Sequence, residues 1–136
     1  MCGIVGYIGN KNASEIILNG LKRLEYRGYD SSGISTIQSG QISTTKYKGK
    51  VKYLEANLDS KVHNGTVGIG HTRWATHGKP SNRNSHPHND TENKISLVHN
   101  GVIENHYTLK KYLSSKNYQF TSDTDTEVLV QLIHYI

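Results

Sequence analysis

Two runs rich in isoleucine and threonine, residues 33–38 and 41–48, are separated only by Ser39 and Gly40. A two-residue link between β-prone runs is typical of a tight hairpin. The runs therefore predict two adjacent antiparallel strands. This pairing constrains the fold strongly, because it commits the first half of the chain to a sheet on which other elements must pack.

Helical spacing occurs on both sides of this hairpin. Asn12 and Glu15 resemble a capping box, and Ile17 and Leu21 then recur at a helical interval, which predicts a helix over residues 13–24. Further helices are predicted at residues 51–57, 107–113 and from about 126 onward, further strands at residues 2–8, 66–71, 95–99 and 118–121, and a long polar loop at residues 78–93. This mixture indicates an α+β domain built of layers.

The last predicted helix stays apolar to its end. Its apolar positions are Val128, Leu129, Leu132, Ile133 and Ile136, and no glycine, proline or polar tail follows them. A helix with such a side normally packs against further chain. We therefore expect residues 1–136 to be part of a longer domain, cut inside or just after this helix.

Composition argues against several classes of protein. No stretch approaches the roughly 18 consecutive apolar residues of a membrane-spanning helix, and the N-terminus lacks the basic and apolar regions of an export signal. The single cysteine cannot form an intramolecular disulfide, which favours the cytoplasm. The net charge of +5 suggests an acidic partner, but the alternating lysines at positions 46, 48, 50 and 52 are typical of a solvated strand edge. We expect binding to neither nucleic acid nor membranes.

The single cysteine, Cys2, directly follows Met1. Removal of Met1 would make it the N-terminal residue, and an N-terminal cysteine carries its own base. An α-amino group has a pKa of about 7.7 to 8.0 and a cysteine thiol about 8.5, so the amine can accept the thiol proton near neutral pH. The alternative is a buried and inert cysteine. Met1 is present in this sequence, so the amine of Cys2 is not free in this form.

Asn100 and Gly101 follow the strand predicted at residues 95–99. Such a pair is common in hairpin turns. The asparagine side-chain amide and the glycine backbone N–H can also act together as two donors to an oxyanion. Both interpretations stay open at this point.

A second group of residues has the chemistry to bind an amino acid. The guanidinium of Arg73 can hold a carboxylate through two hydrogen bonds, and the indole of Trp74 can exclude water. Asp123 and Asp125 precede the last predicted helix; Asp125 is expected to cap it, although a carboxylate there can also bind an ammonium group. Surface packing is the alternative for Arg73 and Trp74.

Four histidines, His71, His77, His86 and His88, lie close together in the sequence. They suggest a metal site, but no second closely spaced Cys or His pair accompanies them, and no Asp or Glu stands at a familiar ligand interval. We therefore expect no metal here, and histidines that order the loop by hydrogen bonding to the backbone.

Five segments together closely resemble the glutaminase domain of class II glutamine amidotransferases, which are N-terminal nucleophile hydrolases. They are residues 1–6, 23–33, 71–78, 98–105 and 122–128, in the order of that family. Within the class, the segments around Arg27 and Arg73 resemble the members that aminate fructose 6-phosphate to glucosamine 6-phosphate. The resemblance covers the chain from residue 1 to its end, and the family's domain continues beyond it.

The resemblance implies a role for each matching residue. Cys2 matches the nucleophile, with its own α-amine as general base, and Arg27 matches the arginine that holds this end of the chain. The other matches are Arg73 for the α-carboxylate of glutamine, Asp125 for its α-ammonium, Asn100 and Gly101 for the oxyanion, and Trp74, Thr76 and His77 for a loop that closes over the substrate. His86 and His88 match a family segment to which we assign no chemistry.

The implied fold is a pair of stacked antiparallel sheets with helices outside both. The implied reaction is hydrolysis of L-glutamine to glutamate and ammonia through a γ-glutamyl thioester, without cofactor or metal. Ammonia would reach fructose 6-phosphate through sugar isomerase domains that are absent here, in a full-length enzyme expected to be a homo-oligomer. Two alternatives remain: a catalytically silent domain that binds an amino acid or a partner, and the glutaminase part of another class II amidotransferase.

Overall fold

The computed structural model describes residues 1–136, and the predicted hairpin lies at one edge of its main sheet. Strand β2 (Ser31–Gln38) pairs with β3 (Gln41–Lys48) in antiparallel register. Ser39 and Gly40 both have positive φ, 51° and 75°, as the preferred two-residue hairpin turn requires. The hairpin prediction is confirmed, with β2 beginning slightly earlier than expected.

Strands β1 (Gly3–Ile8) and β4 (Val67–Arg73) complete an antiparallel sheet in the order β1-β4-β2-β3. Both strands are predicted by the sequence, and β4 continues past the predicted end to Arg73. Gly3 pairs with Thr72, so the start of the chain lies beside the end of β4. This pairing brings the first residues to the loop that follows β4.

Two predicted helices cover one face of this sheet. Helix α1 (Ala13–Arg23) begins after Asn12, whose side-chain oxygen accepts a hydrogen bond from the backbone N–H of Glu15 at 3.1 Å. Helix α2 (Val51–Ala56) packs on β2, β3 and α1. The apolar core between helices and sheet consists of Ala13, Ile17, Leu18, Leu21, Ile34, Val51 and Leu54. Burial of these side chains supplies the main apolar stabilisation of the chain.

The last two helices are confirmed, but the capping prediction is wrong. Helix α3 spans His106–Ser115 and helix α4 spans Asp125–Tyr135. Thr124 caps α4 by accepting from the backbone N–H of Glu127 at 3.3 Å. Asp125 is the first helical residue, and its carboxylate accepts from the backbone N–H of Ile103. Thr124 displaces Asp125 from the cap because the carboxylate is used in this tertiary contact.

Two strand predictions fail or shrink. No strand forms at residues 118–121, because the backbone N–H groups of Thr121 and Ser122 bind the carboxylate of Glu127 instead of a neighbouring strand. The strand predicted at residues 95–99 is reduced to Ser96–Leu97. It is β6, which pairs with β5 (His88–Asn89) inside the predicted long loop.

The small β5-β6 sheet packs on the face of the main sheet opposite α1. Side chains alternate along a strand, so Ser35 points away from the core that contains Ile34. The Ser96 hydroxyl donates to the Ser35 hydroxyl at 2.8 Å, and the Asn89 amide donates to Thr44 at 2.9 Å. Helix α4 covers β5 and β6, and α3 packs on α4. The expected order of helix, sheet, sheet and helix is confirmed. None of the helices is long and apolar enough to cross a membrane.

Candidate active site

Cys2 lies at the start of β1, next to the first residue after β4. The backbone N–H of Trp74 donates to the Cys2 sulfur at 3.2 Å, and the sulfur lies 3.6 Å from the Trp74 carbonyl oxygen. The antiparallel pairing of β1 with β4 is the reason for this contact, since it places the beginning of β1 beside the end of β4. The residue as a whole is half-buried.

The residue before Cys2 is held by the turn that follows α1. The α-amino group of Met1 donates to the carbonyl oxygens of Arg27 and Gly28 at 3.2 and 2.9 Å. The Arg27 guanidinium lies 2.7 Å from the Met1 sulfur. Arg27 therefore lies beside the N-terminus, which the resemblance implies that it holds.

Asn100 reaches Cys2 from a distant part of the sequence. Its side-chain N–H donates to the Cys2 carbonyl oxygen at 3.3 Å, and its side-chain oxygen lies 2.7 Å from Nε2 of His71. Residues 98–103 pair with no strand, so the hairpin interpretation of Asn100-Gly101 is wrong. The structure places the Asn100 amide beside Cys2, and the role of Asn100 and Gly101 as oxyanion donors stays a prediction.

Gly101 has a backbone conformation that side chains disfavour. Its φ is +144°, and a Cβ on it would lie 3.1 Å from Nε2 of His99. Glycine avoids both problems because it has no side chain. The position therefore needs glycine for conformational reasons, and its backbone N–H follows directly after the Asn100 amide.

Arg73 is buried and bonded to the loop that follows it. Its Nη2 donates to the carbonyl oxygens of His77 and Gly78 at 2.6 and 2.8 Å, and the side chain is almost fully buried. Burial lowers the pKa of Arg73, while the nearby carboxylates of Asp30 and Asp125 oppose this effect. The guanidinium thus folds the loop back onto the sheet, and its predicted contact with a glutamine carboxylate stays a prediction.

The loop residues themselves are more accessible. Trp74 is 55% exposed and Thr76 is also exposed, which suits residues expected to close over a substrate. His77 is half-buried, with Nε2 4.0 Å from the carboxylate of Asp125. A cavity of about 210 Å³ opens beside His77 and Gly78. The structure thus brings His77 to Asp125, whereas Thr76 makes no side-chain contact with the other site residues.

Asp125 ties the segment after Gly101 to helix α4. One oxygen of the buried carboxylate accepts from the Ile103 backbone N–H at 2.8 Å. Asp125 also acts electrostatically on Arg73. The two residues expected to bind the charged ends of an amino acid therefore lie close enough to influence each other.

His71, His86 and His88 form a stack of rings beneath the site. His71 and His86 are 4.2 Å apart in nearly parallel planes, and His88 meets His86 edge-on at 4.8 Å. Burial lowers the pKa of His71 to about 4 and holds those of His86 and His88 well below their usual range. Burial therefore favours the neutral form of all three rings. The predicted hydrogen bonding of these histidines to the backbone is supported for two of them, since the backbone of His99 acts on the His71 ring and that of Asn84 on the His88 ring. Their side-chain bonds join His71 to Asn100 and His88 to Thr124.

One residue near the site was not singled out from the sequence. The carboxylate of Asp30 accepts from the backbone N–H of Ala75 at 2.7 Å and so holds the start of the loop. Asp30 lies inside a segment that carries the family resemblance, and this was the only signal for it. His71 was singled out as one of four clustered histidines, but its bond to Asn100 was not predicted.

The largest cavity lies away from Cys2. It measures about 610 Å³, lies between β3, residues 82–91 and α4, and is lined by polar side chains that include Lys46 and Glu127. Burial lowers the pKa of Lys46 to about 8 against the opposing charge of Glu127. It contains none of the predicted site residues.

Comparison with known proteins gives a consistent result. Residues 57–136 match the family described as a glutamine amidotransferase domain. The chain is 56% identical over 135 residues to the glutamine–fructose-6-phosphate aminotransferase of Clostridium tetani, and 57% identical over 137 residues to that of Bacteroides thetaiotaomicron. It spans only 22% of the length of each of these relatives.

Solved structures agree on the fold. A glutamine phosphoribosylpyrophosphate amidotransferase from B. subtilis superimposes with a TM-score of 0.82 at 28% identity, covering all of this chain and 30% of that one. A structure described as the allosteric regulatory enzyme of purine biosynthesis gives 0.83 at 29% identity with the same coverage. With more than half of its residues matched by the family, this chain belongs to the glutamine amidotransferase domain family.

Proposed function

We propose that this chain is the N-terminal part of a glutaminase domain that hydrolyses L-glutamine, with Cys2 as the nucleophile. The observation that carries the proposal is the contact between the Asn100 side-chain amide and the Cys2 carbonyl at 3.3 Å. It joins residues that are 98 positions apart in the sequence and sets a hydrogen-bond donor beside the residue that carries the only thiol. Few functions other than stabilising a charge on a carbonyl attacked by that thiol need this combination.

The nucleophile would be activated by removal of Met1. The freed α-amine of Cys2 would take the thiol proton, because the thiolate is the attacking species. The carbonyl groups of Arg27 and Gly28, which now accept from the Met1 amine, support an N-terminus held in one place. Cleavage moves the amine one residue closer to the sulfur.

The reaction would proceed in two halves. The thiolate attacks the side-chain amide carbon of glutamine, and the carbonyl oxygen becomes an oxyanion that accepts from Asn100 and the backbone N–H of Gly101. The C–N bond then breaks as the α-ammonium of Cys2 gives its proton to the leaving nitrogen, which departs as ammonia. Water attacks the resulting γ-glutamyl thioester, and glutamate leaves with the thiol restored. Bond making and proton transfer balance without any cofactor.

Substrate orientation would come from opposite charges at the two ends of glutamine. Three of the five guanidinium N–H groups of Arg73 bond to loop carbonyls. Both hydrogens of Nη2 are among these three, so Arg73 would have to exchange one Nη2 bond to a loop carbonyl for the α-carboxylate in order to present two parallel N–H groups. Asp125 would pair with the α-ammonium, and Trp74, Thr76 and His77 would close over the substrate. A fixed cation and a fixed anion hold a zwitterion in a single orientation against the nucleophile.

In the whole protein, we propose that the ammonia is transferred to fructose 6-phosphate to form glucosamine 6-phosphate. The support is that relatives 56–57% identical over nearly all of this chain are glutamine–fructose-6-phosphate aminotransferases. That transfer needs the remainder of the whole protein, because this chain covers only 22% of the length of those relatives. We further expect that whole protein to be a homo-oligomer.

The test uses the protein at its natural length, with an intact mass to establish whether Met1 is removed. Ammonia release from glutamine and covalent labelling of Cys2 by a glutamine-like electrophile are then measured. Ammonia release and labelling are both expected in the processed protein. Neither is expected in a variant with an extra residue inserted between Met1 and Cys2 that prevents the removal of Met1. Equal labelling of both forms would contradict the role of the amine as base.

Cys2→Ala in the processed protein is the matched control and is expected to release no ammonia. If the wild-type protein also releases none, the chain is a silent binding domain. Stimulation of ammonia release by phosphoribosyl pyrophosphate in place of fructose 6-phosphate would assign the chain to another class II amidotransferase.

A further inference from the structure

The local backbone of Asn100 does not fix the orientation of its side chain. It is exposed and lies in a segment without regular secondary structure. An amide in such a place can rotate, and a half turn exchanges its oxygen and nitrogen. A donor that must point at a developing charge therefore needs a second contact that distinguishes its two ends.

His71 supplies that contact. Its Nε2 lies 2.7 Å from the Asn100 side-chain oxygen, while the Asn100 nitrogen faces the Cys2 carbonyl oxygen. With a proton on Nε2, His71 donates to the oxygen and the nitrogen must face Cys2. The reversed amide would set two oxygens, those of Asn100 and Cys2, against each other.

The proton on Nε2 is consistent with the surroundings of the ring. Nδ1 of His71 is buried and makes no hydrogen bond of good geometry, and the His99 backbone beside the ring only partly opposes the effect of burial on its pKa. A neutral ring with its proton on Nε2 leaves only a lone pair at Nδ1, whereas an imidazolium would bury an unpaired N–H. Burial lowers the pKa of His71 to about 4, so the ring stays neutral and keeps a single donor.

The ring is itself held rigidly. His71 lies on β4, which has β1 on one side and β2 on the other. Its ring stacks on His86 with an interplanar angle of 16°. His86 contacts His88, whose Nε2 is 2.9 Å from the Thr124 hydroxyl. The orientation of His71 is therefore set by the sheet and by a stacked layer below it.

We infer that His71 is a positioning residue that orients the Asn100 amide toward Cys2 and thereby toward the oxyanion. The inference rests on the proposed function, because it assigns a purpose to one part of that site. It also gives His86 a place in the site, as the surface on which the His71 ring rests.

The test compares His71→Leu with His71→Gln in the full-length protein. Loss of an orienting contact behind a functional group typically costs about 10- to 100-fold, so Leu is expected to lower kcat by about that factor. The KM for glutamine is expected to stay near its wild-type value, since the contact acts on transition-state charge. Gln is expected to restore most of kcat, because its amide nitrogen can occupy the position of Nε2.

A double-mutant cycle with Asn100→Ala separates positioning from general damage. If His71 acts only through Asn100, then His71→Leu is expected to lower kcat little further once Asn100 is alanine. Multiplicative effects would overturn the inference. A crystal structure of His71→Leu, at a resolution that distinguishes the amide nitrogen from the oxygen, in which the Asn100 nitrogen still faces Cys2 would overturn it as well.

His63→Leu is the matched control. His63 is also buried, and both its ring nitrogens are hydrogen-bonded, to Thr36 and Thr45 at 2.8 Å. It is expected to lose stability without a fall in kcat per folded molecule. An equal fall of kcat in both leucine variants would reduce His71 to a structural residue. Absence of ammonia release from the wild-type protein would instead reject the proposed function, and the crystal structure would still decide whether His71 orients Asn100.

Discussion

The two faces of the four-stranded sheet differ in kind. The face toward α1 and α2 is packed with aliphatic side chains such as Ile17 and Ile34. The opposite face presents polar groups, among them His71 and Arg73, and meets the buried histidines of the β5 segment. One sheet thus has an ordinary apolar core on one side and the candidate site on the other.

The two faces also differ in how their burial is compensated. Burying an aliphatic side chain stabilises a fold by roughly 1.5 to 3 kcal/mol, whereas a buried polar group costs free energy unless it is hydrogen-bonded. Nδ1 of His71, Nδ1 of His86 and the side-chain oxygen of Asn89 make no hydrogen bond of good geometry. The apolar face therefore stabilises the domain. The buried polar groups of the opposite face lower that stability while they orient the groups of the candidate site. Substitutions should separate stability from activity according to the face they affect.

The largest effect is expected on the apolar face, from Ile17→Ala. Ile17 is fully buried against Gly68 and Gly70 of β4. Such truncations cost about 2 to 5 kcal/mol of unfolding free energy. Denaturant unfolding measures the loss, with Ile17→Val as the milder control at about 0.5 to 1.5 kcal/mol. The kcat per folded molecule is expected to stay unchanged, and a fall in it would blur the distinction between the faces.

Asn100→Ala probes the polar face. Removing an oxyanion donor lowers kcat by about 100-fold or more, equivalent to about 2.7 kcal/mol of transition-state stabilisation. Steady-state kinetics with glutamine would show this with KM nearly intact. The exposed Asn10 offers a matched control, since Asn10→Ala is expected to leave kcat unchanged. A change confined to KM would make Asn100 a substrate-binding residue.

Arg73→Lys distinguishes two roles on the same face. Lysine keeps the charge but loses the planar fork, so we expect KM for glutamine to rise by about 10-fold, equivalent to about 1.4 kcal/mol. Titration with glutamine provides the measurement. The exposed pair of Arg83 with Asp123 makes Arg83→Lys the control. Unchanged affinity in Arg73→Lys would leave Arg73 with only the loop contacts that it makes to His77 and Gly78.

The smallest effect is expected from Asn12→Ala at the start of α1. Asn12 accepts from the backbone N–H of Glu15, and loss of such a cap costs typically about 1 kcal/mol. Thermal unfolding of Asn12→Ala should show a lower midpoint. Asn12→Ser retains a capping oxygen, so its midpoint should be almost unchanged. Turnover is expected to be unaffected because α1 lies on the apolar face. A loss of turnover would indicate that the two faces are coupled through the sheet.

Local features of the sequence predicted the regular elements well. The hairpin follows from a two-residue link whose residues tolerate positive φ, and α1 follows from Asn12 and the spacing of Ile17 and Leu21. These signals succeed because they depend on neighbours within a few positions. The order of the motifs also identified the family, and with it the layered fold.

Side-chain contacts account for the failures. The segment at residues 118–121 has the composition of a strand, but the carboxylate of Glu127, a few residues further along the chain, binds the backbone N–H groups of Thr121 and Ser122. Asp125 was expected to cap α4, but its carboxylate accepts from the distant Ile103 and Thr124 caps instead. In both cases a carboxylate binds backbone N–H groups that a pattern of propensities does not reveal.

The sequence by itself therefore determined the hairpin, the helices, the position of the thiol beside Met1 and the family. Only the tertiary structure decided that Asn100 meets Cys2, that Arg73 holds its own loop, and that His71 faces the Asn100 amide. The physical reason is range: propensity and capping act over a few residues, whereas the bonds of Asn100 join it to Cys2 and His71, which are 98 and 29 positions away. The direction of the Arg73 side chain follows from the face of β4 on which it lies.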